Sequence, residues 1–239
     1  MTFAALIFNI VVCFALPIAG FVLLARRSRR YAALFGLGIA GFLVSQVLTR
    51  IPLLSLLQQT PSFIVFSATS PWLYALMLAA SAALFEETAR FVFLRLQRKR
   101  GFDVRLAVAY GLGHGGLEAA LVGMSSVVLL TRPEFGGADA SAAWAGVERL
   151  GAMTFHVAMS ITVYAAIMRR SALLFACALA AHTVCDLAAV LPFFSGASIA
   201  AYETVFVVCS FAILAATLFF AREKRVRIEY AIDSADRVS

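Results

Sequence analysis

Residues 72–95 read WLYALMLAASAALFEETARFVFLR, and this stretch decides the fold class. At 1.5 Å rise per residue, roughly 20 apolar residues carry a helix across a ~30 Å hydrocarbon core. The stretch is long enough to span, yet it contains Glu86, Glu87 and Arg90. Such groups cost at least about 2.5 kcal/mol each at the centre of a bilayer, so they normally face the inside of a bundle and serve a function.

Working outward, six more apolar stretches lie at about 3–25, 31–57, 104–130, 147–168, 171–191 and 200–221. The whole chain of 239 residues is 62% hydrophobic and 14% charged, with a mean hydropathy of +0.92. Ordinary soluble domains are about 45–50% apolar and about 25% charged. A water-soluble globular protein, a disordered chain and a coiled coil are therefore excluded. A membrane β-barrel would need alternating segments of about ten residues, which are absent, leaving helices as the spanning structure. The expectation is an all-α, polytopic membrane helix bundle of seven helices. Residues 1–221 form one integral-membrane domain and 222–239 a short charged tail. No internal repeat is evident, which argues against an inverted-repeat transporter.

The net charge of +7 comes from position. Sixteen of the twenty Lys and Arg residues fall at 26–30, 95–105, 169–170 and in the tail. Only Arg132 and Arg149, with Arg50 near the edge, belong to the opposite side. By the positive-inside rule this places the N-terminus outside and the C-terminus in the cytoplasm. The same bias accounts for the arginine clusters without nucleic acid, and it leaves the lipid bilayer as the partner. The first helix lacks a basic segment before its apolar run, so it does not read as a cleaved signal peptide. Thr131–Gly146, rich in Gly and Ala, reads as an outer surface loop. Cys13, Cys177, Cys185 and Cys209 lie within apolar segments without CxxC spacing and read as small apolar side chains.

All three histidines, His114, His156 and His182, fall inside expected helices, as do Glu118 and Asp186. Together with Glu86, Glu87 and Arg90 they occupy helices three to six, about 72–191. Counting helix rise from the basic ends puts Glu86, His114, His156 and His182 at roughly 14–18 Å depth. Four helices thus bring one carboxylate and three imidazoles to one level, and convergence in a single site is the economical reading. Spacing of four residues puts Glu86 with Arg90, His114 with Glu118, and His182 with Asp186 on shared faces. Adjacent Glu86 and Glu87 point about 100° apart, so one can face the site while the other meets a neighbouring helix. Arg90 beside the pair would keep a carboxylate ionised, as a general base requires, and the carboxylates at i+4 would orient histidines. Four glycines surround His114 in Gly111-Leu-Gly-His-Gly-Gly116, either for close packing or for access to the imidazole. Gly36, Gly38 and Gly41 read as packing residues.

Glu86-Glu87-Thr-Ala-Arg90 matches the EExxR motif of the CAAX-protease and bacteriocin-processing superfamily of intramembrane peptidases. Tyr110-x-x-x-His114 resembles its FxxxH motif, and His182-x-x-x-Asp186 its HxxxN/D motif, in the same order along the chain. The segment Gly113–Glu118 is most similar to the GHGGxE pattern of YhfC-like intramembrane metalloproteases. This resemblance implies hydrolysis of a peptide bond in a membrane-embedded or lipidated protein or peptide, in a bacterial cytoplasmic membrane. It implies Glu86 with Glu87 as activators of water, His114 as their partner, and His182 with Asp186 completing the site. Arg90, Glu118 and Tyr110 would support them. Asp186, being a carboxylate, would orient His182. His114, His156, His182 and Glu118 are candidate ligands for zinc, with one position left for water. No HExxH is present, so a metal-free route with Glu86 as base stands beside the zinc one. A proton- or ion-coupled transporter would use a similar Glu/His cluster, and a haem protein paired histidines.

Overall fold

The computed structural model describes residues 2–97, 103–132, 134, 141–189 and 198–236, with only the backbone for Thr2, Ser141 and 222–236. The described residues contain helices and no strand. They form α1 (Phe3–Arg27), α2 (Arg29–Leu57), α3 (Pro61–Thr69), α4 (Pro71–Arg95), α5 (Val104–Thr131), α6 (Ser141–Arg169), α7 (Ala172–Ala189) and α8 (Ile199–Asp236). Six of these are long and apolar enough to cross a membrane alone, and α3 with α4, bent by 112° at their junction, brings the number to seven if the pair counts as one span. The fold is an all-α membrane bundle.

Three boundaries differ from the sequence reading. The segment between the second and third stretches carries the short helix α3, begun by Pro61 in its first turn, where a missing N–H costs nothing. Thr131 closes α5 and residues 141–146 already belong to α6, so the expected Thr131–Gly146 loop is shorter; residues 133 and 135–140 lie outside the described set. The charged tail continues α8 as helix to Asp236. The composition of both segments reads as loop or tail, but adjoining helices propagate through such residues once nucleated.

Both α1 and α2 contain a wide π-helical segment, Val11–Ala15 and Leu43–Arg50, and each ends two residues before a proline, Pro17 or Pro52. Proline lacks the N–H of the regular ladder and crowds the carbonyl four residues earlier, and widening the preceding turns relieves both. In α2 this segment carries Gln46 and Arg50, which face inward.

The centre of the bundle is α6, buried along most of its span, with α7 and α8 on the outside. Residues such as Tyr110, Met159, Ile161 and Tyr164 fill the core. Large apolar side chains on the perimeter, among them Ile18, Leu23, Leu48, Leu173 and Phe219, are exposed. In water such a surface would aggregate; against lipid it is the ordinary outer face.

Glycine sets the spacing of the inner helices. A Cβ on Gly38 would stand 2.1 Å from the Tyr110 carbonyl oxygen, and one on Gly113 2.0 Å from that of Phe35, so α2 and α5 touch backbone to backbone. A Cβ on Gly111 would meet Val157 Cα at 2.6 Å, which fixes α5 against α6. The glycines around His114 therefore pack helices, and α5 runs through them unbroken. Gly36, expected to pack, faces open space.

Introducing a methyl group where two backbones touch is expected to cost about 1–3 kcal/mol. Gly38→Ala and Gly113→Ala should lower the midpoint of thermal unfolding in detergent, and Gly36→Ala should leave it unchanged or raise it slightly through helix propensity. Equal midpoints for all three would refute the close α2–α5 contact.

Candidate active site

The site is built where α4, α5, α6 and α7 meet, with α2 as a fifth wall. Glu86 and Glu87 are adjacent on α4 and diverge as expected, but their partners are distributed differently from the i+4 reading. Arg90 forms its ion pair with Glu87, not Glu86; both are fully buried. Three-residue spacing on a helix serves as well as four, and the choice went to the carboxylate that faces away from the cavity. The Arg90 guanidinium also donates from Nη2 to His156 Nδ1 at 3.0 Å. Glu87 Oε1 accepts a second bond, from His182 Nδ1 at 2.6 Å.

Glu86 takes the other role. Its Oε1 accepts from Gln46 Nε2 at 2.7 Å, and its Oε2 lies 2.9 Å from His114 Nε2. The same Oε2 is 3.8 Å from His156 Nδ1 and 3.8 Å from His182 Nε2. One carboxylate oxygen is thus faced by three imidazoles from three helices. The rings are close: 4.8 Å between His114 and His156 and 5.8 Å between His156 and His182, centre to centre.

Hydrogen-bond chemistry fixes most of the proton positions. A guanidinium can only donate, so His156 Nδ1 accepts and its Nε2–H donates to Glu118 Oε2, 2.6 Å away. His182 donates Nδ1–H to Glu87, and its Nε2 points towards Glu86 and Asp186, 3.8 and 3.6 Å away. His114 Nδ1 is buried without a partner, so its proton is best placed on Nε2, donated to Glu86.

Two expected pairings are replaced. Glu118 does not reach back to His114; it binds His156 and accepts from Arg149 Nη1 at 2.7 Å, while Arg149 also pairs with Glu148. Glu118, on α5, thus ties α6 in place. Asp186 Oδ1 stands 3.6 Å from His182 Nε2, too far to orient the ring, and the orienting carboxylate is Glu87. Tyr110 lies with its ring 6.1 Å from that of His114 and its hydroxyl against Gly41, so it supports by packing.

A cavity of about 290 Å³ opens onto this cluster, with Glu86, His156, His182 and Asp186 in its wall and Ala75, Ala79 and Ala82 leading along α4. Gln46 and Arg50 complete it from α2, and sequence reasoning assigned neither to the site. Arg50 donates to Gln46 Oε1 at 3.0 Å, to Ser81 Oγ at 3.0 Å and to the Leu78 carbonyl at 2.7 Å. The available signal was a polar pair at i, i+4 in an otherwise apolar helix. Arg149 was likewise passed over, as an outer-side charge.

The donor set suits a divalent transition metal. Ligand atoms of Glu86, His114 and His156 lie within 4.8 Å of one another, and His182 Nε2 faces the same carboxylate. Imidazole nitrogen with carboxylate oxygen is a zinc-type set. The Glu87–His182 hydrogen bond is the outer-sphere support that metal-bound histidines usually have. Glu118 is engaged by His156 and Arg149, so Glu86 takes its place among the candidate ligands.

Breaking a buried pair costs about 3–5 kcal/mol, because the remaining charge is left without compensation. Arg90→Met should accordingly lower the unfolding midpoint and the yield of monodisperse protein far more than Arg132→Met, an exposed control. Equal behaviour of the two variants would show that Arg90 does not sustain the buried Glu87.

Comparison with known proteins agrees with this constellation. The family model described as YhfC intramembrane metalloprotease matches residues 12–132 and 137–209, taking in every residue of the cluster. The chain is also 30% identical over 120 residues to the uncharacterized membrane protein YhfC of Bacillus subtilis (strain 168). That match takes in 50% of this chain and 46% of the relative, so the chain spans about half the length of this curated relative. No solved structure matches the chain. With a family match across most of its length and the motif residues gathered around one cavity, the chain belongs to the YhfC intramembrane metalloprotease family.

Proposed function

We propose that this protein is an intramembrane endopeptidase that hydrolyses a peptide bond in a membrane-embedded or lipidated protein or peptide. The observation that carries the reading is Glu86 Oε2, faced by three imidazole nitrogens at 2.9, 3.8 and 3.8 Å on the wall of a cavity. Glu86 takes a proton from the attacking water, and the His114 N–H and the Arg50–Gln46 chain hold the carboxylate in place. His182 and Asp186 face the cavity where the substrate carbonyl would lie. Glu87, Arg90, His156 and Glu118 form the frame that keeps these groups in position. A metal held by Glu86, His114, His182 and, once freed from Arg90, His156 would supply Lewis acidity and a more acidic bound water. The order of the EExxR, FxxxH-like and HxxxD motifs supports a place in the CAAX-protease and bacteriocin-processing superfamily. The charge bias supports an N-terminus outside and a cytoplasmic C-terminus, and the likeness to a Bacillus subtilis membrane protein supports a bacterial cytoplasmic membrane. A single membrane domain over 1–221 with a short charged tail accords with it.

The test uses liposomes containing the protein and total membrane protein, with new N-termini identified by mass spectrometry. Wild type should generate N-termini that Glu86→Gln, equally well folded, does not, with a rate loss of about a hundredfold or more. An identical set from Glu86→Gln would overturn the assignment. Metal content of the purified chain separates the two chemistries. About one zinc per chain, lost in both His114→Ala and His182→Ala, identifies the metal-dependent one; Glu86-dependent cleavage without metal identifies the glutamate one.

A further inference from the structure

A second cavity, of about 520 Å³, lies at the basic end of the bundle and shares no residue with the first. It is set where α4 ends and α6 turns into α7. Phe91, Ile167 and Phe175 make its apolar walls, and Arg95 and Arg170 line it with exposed guanidinium groups. Among the described residues, neither arginine has a carboxylate within 4 Å or a side-chain hydrogen bond. The Arg95 guanidinium instead lies 5.7 Å from the centre of the Phe91 ring, which in turn stands edge-on to Phe175 at 5.2 Å.

Arg170 carries a second signal. Its φ of 52° places it in the left-handed region, the one such residue other than glycine among those described. The Ser171 N–H donates to the Ala166 carbonyl at 2.9 Å and the Arg170 N–H to that of Ile167 at 3.3 Å, the pattern of a helix end that normally closes with glycine. Glycine would take this position without steric cost, yet the chain holds an arginine there. An unfavourable conformation kept at a pocket rim points to a use for the side chain.

The geometry points to a binding site for one anionic phospholipid, its headgroup phosphate taken by Arg95 and Arg170 and an acyl chain laid against Phe91, Ile167 and Phe175. Two guanidinium groups without a carboxylate partner among the described residues supply charge complementarity, and the volume falls within the range of small-ligand sites. Basic pockets between helices at a membrane edge bind such headgroups. The site is independent of peptide hydrolysis.

Native mass spectrometry in detergent tests it, with phosphatidylglycerol and phosphatidylcholine of identical acyl chains as probes. Wild type should retain phosphatidylglycerol about tenfold or more tightly. The double variant Arg95→Gln/Arg170→Gly should bind both lipids alike while unfolding at the same or a higher temperature, because glycine relaxes the helix end. Arg26→Gln/Arg27→Gln, at the basic end but outside the cavity, should keep the preference. Equal retention of the two lipids by wild type would overturn the site, as would a preference surviving the first double variant. Loss of the preference in the second would assign it to the general surface charge. Glycerol phosphate binding as tightly as the lipid would show that the apolar walls take no part.

Discussion

Two adjacent carboxylates buried inside a membrane bundle are the constraint on which the rest of this structure depends. Glu86 and Glu87 are 5% and 0% exposed. In so apolar a setting neither can stay without partners, since an uncompensated buried charge costs several kcal/mol. The surrounding helices are organised around meeting that demand. Arg90 comes from the same helix, His182 from α7, His114 from α5 and Gln46 from α2. Each inserted partner requires its helix to come close, and the backbone contacts at Gly38, Gly111 and Gly113 make that approach feasible.

The two carboxylates are treated differently although they are neighbours in sequence. Glu87 faces away from the cavity and is paired with a guanidinium and an imidazole, so its charge is spent on cohesion and on orienting His182. Glu86 faces the cavity and meets only an amide and imidazoles, none of them permanently charged. These partners hold it at the cavity wall without a guanidinium ion pair. Division of labour between adjacent residues follows from the 100° turn per residue of the helix.

A second ring of charges, which reaches the cavity wall at His156 and Glu118, supports the first. Arg90 binds Glu87 and caps His156; His156 binds Glu118; Glu118 binds Arg149, which reaches Glu148. The chain runs from α4 through α6 to α5 and back to α6, locking the most buried helix to its neighbours. Its far members lie beyond the cavity wall, so they act on the site through position. The wide turn before Pro52 contributes in the same way by turning Gln46 and Arg50 inward together. In most helices a proline only marks a bend; here it sits beside the residues that hold Glu86.

The sequence by itself determined the fold class, the number of spans within one short helix, and which residues gather. Hydropathy and the cost of charge in hydrocarbon are properties of composition and spacing, and they need no knowledge of neighbours. The eight ionisable residues of helices three to six were legible for that reason. Tertiary structure alone decided who pairs with whom. Spacing of four residues suggested Glu86 with Arg90 and His114 with Glu118, but a helix face only offers a partner, and a better-placed group takes it, Glu87 on the same helix for Arg90 and His156 on another for Glu118. Glu118 went to His156 and Arg149 across 38 and 31 residues of sequence. Gln46 and Arg50 joined the site because a π-helical segment and a glycine contact brought α2 inward, and neither effect is encoded in the polar pattern itself.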